Sequence, residues 1–147
     1  MTTIVDVADY ILNKYGTMTT MKLQKLTFYA QAQALAVTGH PLFEEDFEAW
    51  KGGPVSRALY AKHRGMFLIH PGELTGTSPQ PVAKHEEAII GSACDSLSAL
   101  TGNQLSRRTH SEKPWQEARG DALPNAASSA VISKESIRRF YADNPIV

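Results

Sequence analysis

The sequence predicts a mostly α-helical protein, a compact single domain over residues 1–147 built as a bundle around a central helix at about 20–37. One short β-hairpin or extended segment is expected near 47–55. Apolar residues recur at the 3.6-residue spacing of amphipathic helices along most of the chain. Glycine and proline gather mainly at 52–54 and 65–82, which leaves long uninterrupted stretches for helices. The length of 147 residues, 42% of them hydrophobic, suits one ordinary domain able to bury a core.

Ile4, Val7, Ala8, Ile11, Leu12 and Tyr15 make one helical stripe. Thr3 can cap its start, Asp6 favours its first turn, and Gly16 suits its end. The central helix follows, capped by Thr19 or Thr20 and closed by Gly39. Leu23, Leu26, Ala30, Ala34 and Val37 form one apolar face, with Phe28 and Leu35 on a second. Only a narrow stripe of Lys22, Lys25, Tyr29 and Gln33 is left polar, and a helix so apolar belongs at the centre of its domain.

Residues 40–60 change character. An acidic group at 44–48 is interleaved with Phe47 and leads to Trp50; an extended segment at 47–50 would enter a tight turn at Gly52-Gly53-Pro54. A helix can restart at Pro54 and run to about His63. Residues 65–82 read as a long irregular connection, a feature that in compact domains signals function or mobility. Helices are expected again at 83–100, 102–109 and 114–119, then a loop at 120–130. Ser133 can cap a last helix that turns Ile137, Phe140 and Tyr141 inward.

Composition excludes several classes of function. Fifteen basic residues balance fifteen acidic ones, so nucleic acid is a disfavoured partner, since phosphate binding draws on a surplus of Lys and Arg. One cysteine, Cys94, cannot form an internal disulfide, which fits a reducing compartment and a cytoplasmic location. No apolar stretch reaches membrane-spanning length, and the N-terminus lacks the pattern of a signal peptide. The five histidines form no i+3 or i+4 pair, so no metal site is expected. No nucleophile elbow, phosphate loop or dinucleotide fingerprint is present, and neither catalytic residues nor a cofactor are expected. The acids at 44–48 read as a solvated turn, and Cys94 as a small hydrophobe on a helix face.

Three segments ask for more than packing: Met21-Lys22-Leu23-Gln24-Lys25-Leu26-Thr27-Phe28-Tyr29-Ala30-Gln31, Ala49-Trp50-Lys51-Gly52-Gly53-Pro54-Val55, and Thr109-His110-Ser111-Glu112-Lys113-Pro114-Trp115. Each tryptophan lies near a proline and a helix start, as a core anchor with a hydrogen-bonded indole or as an interface anchor. In this order, together with Gly39 to Phe43 and Ile132 to Tyr141, the segments resemble the SocA-like antitoxins, the Panacea domain. The sequence departs from that pattern at Thr27 and Gly52.

The resemblance implies an antitoxin, without chemistry of its own, that binds a cognate protein toxin encoded by a neighbouring gene of a bacterium or prophage. An alternative it carries is a proteolytic adaptor, with a protease or its unfoldase as second partner; a DNA-binding operon repressor is the third reading. The residues expected to meet the partner are Lys22, Lys25 and Tyr29 on the polar stripe, the Trp50–Pro54 turn, and His110 with Trp115. For the lysines the competing role is ordinary solvation, and for the tryptophans core packing.

Overall fold

The structure, a computed structural model, describes residues 1–74, 79–123 and 125–147. Its described residues form seven helices and five short strands around one hydrophobic core. Helix α1 spans Ile4–Tyr15, with Thr3 as N-cap: its side chain accepts from Asp6 N–H while the Asp6 carboxylate accepts from Thr3 N–H. This reciprocal box satisfies two of the donors a helix start leaves unpaired. Gly16 closes α1 with φ 87, a left-handed region that glycine enters without a Cβ penalty.

Strand β1 (Met18–Thr19) leads into the central helix α2 (Thr20–Thr38), which Thr19 caps through Lys22 N–H. The hairpin expected near 47–55 is present as β2 (Phe47–Trp50) and β3 (Gly53–Val55), paired antiparallel with Trp50 opposite Gly53. Helix α3 (Arg57–His63) starts three residues later than the sequence predicts. Pro54 lies inside β3, and Ser56 is the N-cap, accepting from Leu59 N–H. Ladder pairing of Glu48 with Val55 holds the backbone extended through 55, so the helix cannot begin at the proline.

Within 65–82 the chain makes β4 (Leu68–Ile69), which pairs antiparallel with β1; residues 75–78 of that expected connection lie outside the described residues. Helix α4 (Lys84–Leu97) places Ile90, Ala93, Cys94 and Leu97 in the core. Helices α5 (Gly102–His110) and α6 (Lys113–Arg119) follow, α5 capped by Thr101 with Gln104 completing the box. Strand β5 (Val131–Ile132) adds to β2, giving a three-stranded antiparallel sheet of order β3-β2-β5. Ser133 caps the last helix, α7 (Lys134–Asp143), which buries Ile137 and Tyr141 and half-buries Phe140.

Helix α2 is central: α1, α4, α5, α7 and β3 all pack on it. Every residue from Leu23 to Ala32 is buried, including Lys25 and Tyr29 of the stripe expected to be polar surface, while Lys22 and Gln33 are half-buried. Val37, expected in the core, is 67% exposed, whereas Ala34 and Leu35 at the same end of α2 are buried. The acidic group fastens the hairpin region to its surroundings. Glu45 accepts from Ile4 N–H at the start of α1, Asp46 pairs with Lys134, and Glu48 pairs with Arg57. Those roles fit a structural turn.

Candidate partner-binding site

The three segments singled out in the sequence converge on the β2–β3 hairpin. Side chains from α2, α5 and α6 hold its backbone carbonyls one by one. Arg119 Nη1 donates to Ala49 O at 2.8 Å, and Trp115 Nε1 to Trp50 O at 2.8 Å. Ser106 Oγ donates to Gly52 O at 2.8 Å, and Lys25 Nζ to Pro54 O at 3.2 Å. Gln24 takes both backbone groups of Ser56, accepting from its N–H at 2.9 Å and donating to its carbonyl at 3.2 Å. A backbone that leaves its own ladder after three residues needs such partners, since an unpaired buried carbonyl costs about 1–3 kcal/mol.

Of the residues expected to face a partner, Lys25 and Tyr29 are 2% and 0% exposed and therefore lie in the interior. The surface expectation fails because the hairpin, α5 and α7 cover that side of α2. Each polar tip is met inside: Tyr29 Oη donates to Glu112 at 2.5 Å, and Tyr141 Oη donates to the same carboxylate at 2.9 Å. Burial pushes both phenols upward, and the Glu112 charge adds to the shift. Lys22 is half-buried and donates to Ser98 O, so its charge is partly desolvated and its pKa lowered.

Trp50 is half-buried, its indole N–H on Glu48 at 2.9 Å, and Arg57 lies over its ring at 5.4 Å. Pro54 is buried in β3 and offers only its carbonyl. Trp115 is buried, with Arg119 over its ring at 4.8 Å, and serves as a core anchor that holds the hairpin. His110 stacks on Trp115 with ring centroids 4.0 Å apart. Its Nε2 is buried without a hydrogen-bond partner among the described residues. Burial, Lys25 and Arg119 all lower the pKa of this imidazole.

Lys25 itself is unusual. It is wholly buried, and desolvation lowers its pKa from 10.5 to about 7. Gly53, at φ 119, makes room for it: a Cβ there would sit 2.5 Å from Lys25 Cε. The lysine lies beside a cleft of about 210 Å³ walled by Met21, Gln24, Trp50, Tyr60 and His63. Gln24 Nε2 lies 3.0 Å from His63 Nε2, and burial lowers the His63 pKa, so this ring accepts as a neutral imidazole. Thr20, at the rim, donates from its N–H to Phe67 O, which places Phe67 (76% exposed) and Leu68 (47%) beside Met21 (41%). The mouth of the cleft is thus bordered by exposed apolar side chains.

Gln24, Ser106 and Arg119 were not foreseen as site residues. Gln24 lay within the Lys-Leu-Gln-Lys run, which was the available signal; Arg119 carried none in sequence. Among the described residues no group of three or more His, Cys, Asp or Glu side chains could hold a metal ion. Burial pushes the Cys94 thiol up to about 12, and its Sγ–H faces Leu26 O, the setting of a packed hydrophobe.

Fold and site together define a mostly α-helical scaffold whose buried polar side chains serve to fix one hairpin and its apolar surroundings. The model of the SocA-like antitoxin family, Panacea domain, matches residues 23–116, from the start of the buried stretch of α2 into α6, and the chain belongs to that family. No curated protein and no solved structure matches the chain. The family supports a toxin–antitoxin role with a toxin as partner. No helix among the described residues is long and apolar enough to cross a membrane.

Proposed function

We propose that the protein neutralises a cognate toxin, encoded by a neighbouring gene, by direct protein–protein binding in the cytoplasm, and that the hairpin face is the contact surface. The observation that carries this reading is the exposed apolar group of Met21, Phe67 and Leu68 beside a rigidly held hairpin. Exposed apolar side chains set next to fixed backbone are the usual makings of an interface hot spot. Half-buried Trp50 borders the same face, and His110 supports the hairpin indirectly by stacking on Trp115, which holds Trp50 O. Lys25, Tyr29, Pro54 and Trp115 act from within, by holding that surface in place. The neutral net charge suits a protein partner better than a nucleic acid.

The test is co-expression with the neighbouring open reading frame, scored by growth and co-purification. Wild type is expected to restore growth and to co-elute with the toxin. The double variant Phe67→Glu, Leu68→Glu is expected to lose both while keeping its circular dichroism spectrum. Restored growth with no complex and a collapsing toxin level would replace neutralisation by delivery to a protease.

A further inference from the structure

The hairpin encloses a buried amine, Lys25, without a counter-ion among the described residues. Lys25 donates one hydrogen bond, to Pro54 O; among the described residues it has no other acceptor and no carboxylate in ion-pair range. Its titratable neighbours, His63 on α3 and His110 on α5, are bases and not acids. Glu48, the acid of strand β2, is engaged by both Arg57 and the Trp50 indole. Buried charges in proteins are ordinarily paired. Here the backbone forgoes a side chain at Gly53 to admit the lysine, and the described residues offer it one neutral carbonyl and no acid.

The same lysine borders an open cleft whose exposed lining is mainly apolar and aromatic, from Met21, Trp50 and Tyr60, with neutral His63 and Gln24 at its base. At about 210 Å³ the cleft is smaller than the usual ligand pocket of about 300–1,000 Å³, and it suits one ring-sized or side-chain-sized group. Trp50 and Tyr60 meet edge to face at 5.2 Å, leaving an aromatic wall beside the mouth.

We propose that this cleft is a binding site for a carboxylate carried on a short apolar or aromatic stem, with Lys25 as the charge that receives it. The carboxylate supplies the acceptors that Lys25 lacks, and the stem lies against Met21, Trp50 and Tyr60. Two sources share this chemistry: a free small carboxylic acid, or an acidic side chain of a bound protein. The site is argued from Lys25 and its cleft and stands without the antitoxin reading; only the choice of source involves it.

The experiment titrates the purified full-length protein, with lysine side chains carbon-13 labelled, using benzoate as probe and benzamide as its uncharged match. Saturable benzoate binding is expected to shift the Lys25 signal and raise its pKa, with benzamide at least tenfold weaker. Lys25→Met is expected to abolish the preference for benzoate over benzamide. Equal binding of the two probes to wild type overturns the proposal, and that comparison needs no variant to fold. Benzoate preference that survives in a folded Lys25→Met variant overturns it as well. With the neighbouring gene's product added, competition by benzoate supports a protein side chain as the source. A complex indifferent to benzoate overturns that source in favour of a free acid. Failure to form any complex counts against the antitoxin reading and leaves the benzoate result standing.

Discussion

The two sides of helix α2 are held by different physics. Towards α1 and α4 the buried contacts are mainly apolar: Ile11, Leu12, Ile90, Ala93 and Leu97 are all buried and need only shape and volume to match. Towards the hairpin, the buried residues include Gln24, Lys25 and Gln31 on α2, Ser106 and Thr109 on α5, and Arg119 on α6. That side is fastened through hydrogen bonds from side chains to backbone, and each of them is directional. Apolar packing tolerates exchange among hydrophobes of similar volume. A directional hydrogen bond in the interior does not, because the partner left behind is desolvated and unpaired. Around the hairpin, then, a residue's identity, rather than its hydrophobicity, decides the backbone position.

The largest test of this contrast is Gln24→Leu against Leu12→Ala. The first leaves Ser56 N–H and C=O, and His63, without their partner. The expected loss is about 2–6 kcal/mol, from about 1–3 for each of two stranded backbone groups. The second opens a cavity on the apolar side and is expected to cost about 2–5 kcal/mol. Urea unfolding measures both. If Gln24→Leu proved close to neutral, the hairpin would not depend on its side-chain ties, and the contrast would fail.

Lys25 gives a second test, and its sign is opposite. Its folded pKa, about 7, lies below the ordinary 10.5, so between these values the unfolded chain binds more protons. Stability from this group therefore rises as pH climbs from about 7 to 10.5. The full gain is at most several kcal/mol, at about 1.4 per pKa unit. Tyr29 and Tyr141, with raised pKa values, reverse the trend above their ordinary value of 10.0. Below the ordinary histidine value of 6.5, the lowered pKa values of His63 and His110 make stability fall as pH drops. Lys25→Met strands Pro54 O, at about 1–3 kcal/mol, but also relieves the desolvated amine. A net change near zero is therefore expected at pH 7, together with loss of the alkaline rise; thermal melts across pH 6–10 check it. A melting profile that keeps the rise in the variant would place its origin in another group.

The smallest effect belongs to the apolar side. Thr3→Ala removes the N-cap of α1 and is expected to cost about 1 kcal/mol, read from the midpoint of urea unfolding. Hydrogen exchange should show the loss confined to the first turn of α1, with the hairpin amides unaffected. Faster exchange at Ala49 or Trp50 would mean that the two sides are coupled through α2.

By itself, the sequence determined the helices. Thr3 and Ser133 cap where their chemistry predicts, Thr19 is the one of two candidates that caps α2, and apolar spacing places α1, α2 and α4 within a few residues. Those signals are local: a cap acts across three residues and a helical stripe repeats every three or four. Only the tertiary structure decided that Lys25 and Tyr29 of the polar stripe of α2 are interior, that Pro54 belongs to a strand, and that β1, β4 and β5 exist. Lys25 meets Pro54 across 29 residues of chain, and Tyr29 meets Glu112 across 83. Strands of two residues carry too little pattern to read, and gain their stability from the partner they pair with. Whether a polar side chain on a helix faces water or a distant carbonyl depends on what the rest of the chain lays over it, and no local spacing encodes that.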